Sequence, residues 1–368
     1  MIKSISLTAS MIVRNEERFL FDCLESIKLI ADEIVIVDTG STDNSKSIAR
    51  SFNARIYDFP WCDDFATARN EALRHCHGEW ILYIDADERL RPIEKYKLNR
   101  LLFDKRKVAY KVQFYPNQNS TAYLEYRIFR NDPRIRFNGF IHETVVPSIH
   151  AVANENGMEI GICDLTIDHV GYDGDQKNKH ARNLPLLRRQ LARDPNRIYC
   201  WWHLGAILQE MGDEKGAEEA WLSAIKIIRS RHIFDMNDSL PYAYLIRLYY
   251  SKDKNVDKLI EEAINLFPDH YYIIWIKAMI LMSEHNFKEA IPLLKRLVSV
   301  DIHNMDAGQL SYDEKMFNVF SYGPLATCYY QIGMYKDSAV YYALAEQFEP
   351  DNIEYKIKRQ FVSTRIKN

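Results

Sequence analysis

Over roughly the first 90 residues, apolar positions come in short blocks separated by helical spacing. Ile5 to Val13, Glu33 to Asp38, Ala54 to Asp58 and Trp80 to Asp85 read as strands, because β-branched and aromatic residues fill them without a polar face. Glu17 to Ala31, Asn44 to Phe52 and Phe65 to His75 read as amphipathic helices, with Ser41, Thr42 and Asp43 as candidate caps for the second. This alternation predicts an α/β domain with a largely parallel sheet. From Lys107 to about His169 the segments shorten, as in Val108 to Tyr115 and Ala122 to Phe129. They predict an antiparallel extension of the same sheet.

Gly171-Tyr172-Asp173-Gly174-Asp175 reads as a polar hinge, which places the domain boundary near residue 175, and everything beyond it is helical in pattern. Trp201, Leu204, Gly205, Leu208, Ala217, Trp221 and Ala224 fall at tetratricopeptide spacing, and Leu325, Ala326, Tyr329, Ser338, Tyr342, Ala345 and Pro350 repeat it. Ala278, Leu281, Ala290, Leu294 and Leu297 fit a third unit, and Ala263 with Pro268 closes a less regular one. Small residues at close crossings beside bulky ones are what stacked helix pairs require. The second half, 176–368, is therefore expected to be an all-α repeat domain.

A chain of 368 residues exceeds one ordinary core, in keeping with two domains. A net charge of -3 gives no general attraction to nucleic acid or an anionic membrane, which leaves recognition to local sites. The six cysteines show no close pairing of the kind that marks zinc sites or disulfide frameworks. Met1 to Val13 is too short and polar for a signal peptide or a membrane span. A cytoplasmic protein without an integral membrane segment is the expectation.

Candidate chemistry gathers after strand ends, the edge where open α/β sheets bind ligands. Asp85-Ala86-Asp87 follows the apolar run Trp80 to Ile84. Its two carboxylates stand at i and i+2, able to reach one hard divalent cation or, alternatively, to cap a turn. Asp38 can accept hydrogen bonds from a nucleobase or ribose, or cap the helix after it. Arg69 and Asn70 offer a cation and an amide to a base or phosphate, although a helical Arg is more often solvated surface.

Ser10-Met11-Ile12-Val13-Arg14-Asn15-Glu16-Glu17, Val37-Asp38-Thr39-Gly40-Ser41-Thr42-Asp43 and Asp85-Ala86-Asp87 resemble the family 2 glycosyltransferases of the GT-A fold. Trp61-Cys62-Asp63-Asp64-Phe65 and Ala68-Arg69-Asn70 resemble the bacterial subgroup that carries tetratricopeptide repeats, and within it the sublancin-type peptide S-glycosyltransferases. The resemblance covers about residues 5 to 230 and implies a Rossmann-like GT-A domain followed by a tetratricopeptide-like domain. It also implies roles: Asn15 and Glu16 lining a nucleotide pocket, Asp38 on the base or ribose, Arg69 steadying the nucleotide, Asp85 on ribose and metal, and Asp87 on Mg²⁺ or Mn²⁺.

Arg127-Ile128-Phe129-Arg130, Phe137-Asn138-Gly139-Phe140-Ile141-His142-Glu143 and Ile167-Asp168-His169-Val170-Gly171-Tyr172 resemble later motifs of that subgroup. His169 is a candidate third metal ligand, or else a structural hydrogen-bonding group. Glu143 is the candidate general base, with His142 and Glu88 as competitors. Glu143 paired to Arg127 or Arg130 is the structural alternative. A thiol acceptor would need less basic help than a hydroxyl.

The expectation is a metal-dependent, inverting hexosyltransferase using a UDP-sugar and a peptide, protein or saccharide acceptor. The repeats would present that acceptor, form a homodimer or simply cover the catalytic domain. The rivals are nucleotidyl transfer, which calls for a Gly- and Arg-rich loop unlike Arg14-Asn15-Glu16-Glu17, and a helical scaffold with an inactive sheet domain.

Overall fold

A computed structural model describes residues 6–171, 176–302, 305 and 310–366. They fall into two compact units, Met1–Gln118 with Ala122–Ile207, and Asn119–Thr121 with Leu208–Asn368. The division at Ile207 lies past the expected boundary near residue 175, and positions 172–175 of the expected hinge lie outside the described residues.

In the first unit the chain runs β1 (Leu7–Val13), α1 (Leu20–Ile27), β2 (Glu33–Asp38), α2 (Ser45–Ser51), β3 (Arg55–Asp58), α3 (Phe65–Arg74) and β4 (Trp80–Tyr83). It continues through β5 (Glu88–Leu90), α4 (Lys95–Leu102), β6 (Lys107–Tyr115), β7 (Tyr123–Arg130), α5 (Val146–Asn156) and β8 (Glu159–His169). Two helices follow, α6 (Gln176–Arg193) and α7 (Ile198–Glu210), the latter crossing the division at Ile207. The strands form one sheet in the order β3-β2-β1-β4-β7-β6-β8-β5. Pairing is parallel from β3 through β4, then β7 runs antiparallel to β4 and β6 to β7. The expected parallel sheet forms, but its extension is mixed rather than antiparallel throughout, because β8 pairs parallel with β6 and antiparallel with β5.

Period-two alternation makes the sheet two-faced. Trp80 and Leu82 of β4 pack with Leu20, Leu24 and Ile27 of α1 and Leu98 and Leu102 of α4. Ile81, between them, packs on the other face with Ala66 and Leu73 of α3 and Ile149 and Val152 of α5. Burying such side chains contributes about 1.5–3 kcal/mol each, so the register of β4 is tightly set. That register fixes where the Asp85 to Asp87 turn emerges.

Several elements carry weak sequence signatures. β5 is only three residues long, and α5 has Pro near its first turn and ends on Gly157 in the left-handed region, φ 61°. The expected caps of α2 are also used differently. Its N-cap residue is Asn44, without a side-chain cap bond, while Asp43 accepts the Ser45 amide at 3.0 Å with Oδ1 and bonds to the loop after β1 with Oδ2, and Ser41 Oγ bonds to that loop.

The second unit holds helices α8 (Glu214–Arg229), α9 (Leu240–Tyr250), α10 (Asp257–Leu266), α11 (Tyr271–Ser283), α12 (Phe287–Val298), α13 (Val319–Gln331), α14 (Tyr335–Phe348) and α15 (Ile353–Ile366). The small repeat positions Ala217, Ala224, Ala263, Ala278, Ala290, Ala326, Ser338 and Ala345 are all buried, with Trp221, Leu294, Leu297 and Tyr342 buried beside them. Asn119–Thr121 belongs to this unit, since the Thr121 amide donates to Tyr312 O at 2.8 Å and the Glu314 amide to Asn119 O at 2.9 Å. Among the described residues, no helix is long and apolar enough to cross a membrane.

His270 caps α11, its Nδ1 accepting the Ile273 amide at 3.3 Å. Burial lowers its pKa from 6.5 to about 4, so the folded unit holds it neutral while the unfolded chain protonates it below pH 6.5. The unfolded state binds more protons in that window, and stability is therefore complete above pH 6.5 and falls as pH drops toward 4. His270→Asn keeps an acceptor for the cap without the titration. Between pH 7.5 and 5 the variant should lose about 2 kcal/mol less stability than wild type, by the linkage of a shift this size. Denaturant unfolding at the two pH values measures it, and equal losses in both proteins would contradict the assignment.

Candidate functional site

The loops after β1 and β2 are laced together. Asn15, at φ 57°, takes the left-handed conformation that asparagine tolerates, and its Oδ1 accepts the Thr42 amide at 2.8 Å. In return the Asn15 amide donates to Ser41 Oγ at 2.9 Å, the Glu16 amide to Ser45 Oγ at 2.8 Å and the Glu17 amide to Asp43 Oδ2 at 3.0 Å. These bonds satisfy backbone groups that no helix or strand reaches. They aim Glu16 into a cleft of about 450 Å³.

Arg14, Glu16, Thr39, Trp61, Asp85 and Asp87 are among the residues lining that cleft. Lys179 and Arg182 of α6 line it too. A second pocket of about 300 Å³ is lined by Tyr83, Glu125, Arg127, Phe137, His142 and Glu143 among others. Phe65, Arg69, Asp85 and Arg182 line both. The two spaces are therefore adjacent.

Arg69 forms the partition. Its Nη2 donates to Asp85 at 3.0 Å and its Nε to Glu143 at 2.5 Å, while the rings of Tyr83 and Phe137 lie 5.4 and 5.6 Å from its guanidinium carbon. It is neither solvated surface nor a free nucleotide ligand. Asn70 is likewise occupied, clamping Phe137 by both its N–H and its C=O at 2.8 and 2.9 Å. Glu143 pairs with Arg69, not with Arg127 or Arg130.

Asp87 Oδ2 lies 3.1 Å from His169 Nε2, and His169 Nδ1 lies 3.2 Å from Pro116 O. A carbonyl only accepts, so Nδ1 carries a proton, and Nε2 faces a carboxylate either as an imidazolium N–H or across a cation. Burial opposes the charge on His169, but the bond and charge of Asp87 outweigh it and raise its pKa. Burial also opposes the Asp87 charge, and the His169 bond overcomes it and holds that pKa low. Glu16 is pushed up to about 7 by burial and then by repulsion from Asp87 and Asp85. The cleft thus concentrates negative potential.

This donor set fits a divalent cation. Oxygen from Asp87 and an imidazole oriented by a carbonyl on its far nitrogen are ordinary ligands with an ordinary outer shell. Among the described residues no three His, Cys, Asp or Glu side chains are grouped so as to hold a metal ion, so Asp87 and His169 are a two-residue set. Asp85 is the member already held by a cation, Arg69. The Gly171 backbone packs on Asp87 so closely that a Cβ there would lie 2.1 Å from Oδ2.

The remaining expected residues divide. Asp38 is buried and lines neither space; its Oδ1 accepts the Gly40 and Ser41 amides at 3.0 and 2.9 Å, while its Oδ2 has no partner. Asn15 acts as a brace and also lines neither space. Glu88 is buried against Arg127, at 2.7 and 3.0 Å, away from both spaces. His142 stacks on His203 with ring centroids 3.8 Å apart, and burial, then the Arg197 charge, lowers its pKa to about 3. Burial thus keeps His142 neutral near neutrality. Lys179, Arg182 and Trp61 are site residues absent from the expected list. Basic residues at i and i+3 on one helix face were the available signal for the first two.

Residues 8–156 match the family model for glycosyl transferase family 2. The chain is 35% identical over 221 residues to a TPR repeat-containing protein of Synechococcus elongatus, covering 58% of this chain and 54% of that one. It is 27% identical over 256 residues to the prophage-derived glycosyltransferase SunS of Bacillus subtilis, covering 62% and 56%. The chain thus spans about half the length of these relatives. Glucosyl-3-phosphoglycerate synthase from Mycobacterium tuberculosis, solved with Mn²⁺, UDP and glucosyl-3-phosphoglycerate, aligns at 14% identity and a TM-score of 0.37, over 51% of this chain and 80% of that one. Residues 8–156 of this chain thus form a glycosyl transferase family 2 domain, with the Asp85 to Asp87 turn just past the carboxyl end of its central strand β4, and helices with buried small positions at tetratricopeptide spacing follow it.

Proposed function

We propose that the larger cleft holds a UDP-linked hexose and that the smaller pocket receives a peptide, protein or saccharide acceptor. One observation carries the reading. Asp85, Asp87, Lys179 and Arg182 all line the cleft, and Arg69 bridges Asp85 and the Glu143 carboxylate.

In this reading Asp87 and His169, with Asp85 beside them, hold Mg²⁺ or Mn²⁺. The bound ion supplies positive charge to the diphosphate as it leaves. Lys179 and Arg182 bind the remaining phosphate oxygens, and Glu16 and Trp61 shape the wall near the nucleoside. The acceptor oxygen or sulfur attacks the anomeric carbon from the Glu143 side. Its proton goes to the Glu143 carboxylate, and the carbon–oxygen bond to the diphosphate breaks with its electrons leaving on UDP. Attack from one pocket and departure into the other is in-line and inverts the centre.

Asp87→Ala should lower donor hydrolysis and transfer by about 10²-fold or more, the scale of a lost electrostatic group, with the circular dichroism spectrum retained. Normal turnover in that variant defeats the assignment. Calorimetric titration of the wild-type chain with UDP, with and without Mn²⁺, separates the enzyme from an inactive scaffold, which would bind no UDP in a metal-dependent way.

Glu143→Gln keeps an acceptor oxygen for Arg69 but removes the base. Transfer to a hydroxyl should fall by about 10²–10⁴-fold while UDP binding persists. Transfer to a thiol should fall far less, because a thiol ionises nearer neutrality by itself. Intact-mass measurement on hydroxyl- and thiol-bearing acceptors reads the difference, and an unchanged hydroxyl rate would remove Glu143 from the base role.

A further inference from the structure

Arg127 lies behind the Asp85 to Asp87 turn with each of its three hydrogen-bonding nitrogens on a carboxylate. Nη1 and Nη2 grip Glu88 at 3.0 and 2.7 Å, and Nε donates to Glu125 at 2.8 Å. The guanidinium also lies against two rings, Tyr83 at 4.4 Å and Phe114 at 4.9 Å. A planar cation bonded on its edges and packed against rings has little rotational freedom left.

What it fixes is the turn. Glu88 Oε2, the atom bonded to Nη1, also accepts the Asp85 amide at 2.8 Å. Glu88 opens β5, whose register sets it opposite His169, and the Val170 amide donates to Asp87 O at 2.9 Å. One carboxylate thus joins the backbone of Asp85 to the strand pairing that brings Asp87 and His169 together. A buried ion pair is a weak source of net stability, since desolvation offsets most of its attraction. Its value here is geometric.

We propose that Arg127, acting through Glu88, is a positioning residue that holds Asp85, Asp87 and His169 in the arrangement that accepts a divalent cation with a diphosphate. This rests on the sugar-nucleotide reading above. Neither residue lines the larger cleft proposed for the nucleotide. Their loss acts on the cation-dependent part of binding and leaves the rest.

The test compares wild type with Arg127→Lys and with the double variant Glu88→Met/Arg127→Met, all as the full chain, by calorimetric titration with UDP with and without Mn²⁺. The double variant removes both charges together, which avoids stranding one of them, and its thermal midpoint should lie nearer wild type than that of Arg127→Met alone. Arg127→Lys keeps the charge but not the two-pronged grip, so it provides a second, conservative readout. Both variants should lose about 10–100-fold of the affinity that Mn²⁺ adds for UDP, the usual scale for an outer-shell partner. Metal-free UDP binding should stay at the wild-type level. A full Mn²⁺ increment in either folded variant overturns the positioning role and leaves the sugar-nucleotide reading standing. A wild-type chain without any Mn²⁺-dependent UDP binding overturns that reading itself.

Discussion

Two guanidinium groups set against four carboxylates organise the end of β4. Arg69 holds Asp85 and Glu143, and Arg127 holds Glu88 and Glu125. Counted formally these groups carry a charge of -2, although burial pushes Glu88, like Glu16, up to about 7, and Asp87 stands close by. At an effective dielectric of 20, unit charges 4 Å apart interact by about 4 kcal/mol. An excess of this size favours a divalent cation at the rim. Replacing either arginine by an apolar residue would leave two carboxylates without the cation that now pairs them.

The loops show a second constraint, that a polar loop must satisfy its own backbone before it can serve a ligand. Asn15, Ser41, Asp43 and Ser45 spend their side chains on amides of the facing loop. Asp38 does the same for Gly40 and Ser41. Residues that suggest nucleotide contact when read singly are here the frame that presents Glu16. Among the described residues of that frame, Asp38 Oδ2 is a buried side-chain acceptor with no hydrogen-bond partner.

The layered sheet was legible because burial on both faces leaves continuous apolar runs, and Trp80 to Ile84 could hardly be anything but a central strand. The Asp85 and Asp87 pair was legible for the same reason, as polar residues ending such a run. The partners of Arg69 were not, because Glu143 lies 74 residues away in sequence and no local spacing encodes the pairing. Lys179 and Arg182 were hidden differently. On a helix rich in basic residues, cations facing a cleft and cations facing water have the same pattern. The boundary near 175 followed a glycine-rich break in composition, whereas compactness follows packing, and packing carries α6 and much of α7 with the sheet.

Histidine 142 shows how burial separates proximity from chemistry. It lines the smaller pocket beside Glu143, and as a residue type it is the more usual base. Stacked on His203 and withdrawn from water, it pays the desolvation cost of a charge with no carboxylate to offset it, and the Arg197 cation adds to that cost. Glu143 differs in having a cation, Arg69, at hydrogen-bonding distance. Two adjacent polar residues thus take different parts, and the difference is set by which of them faces Arg69.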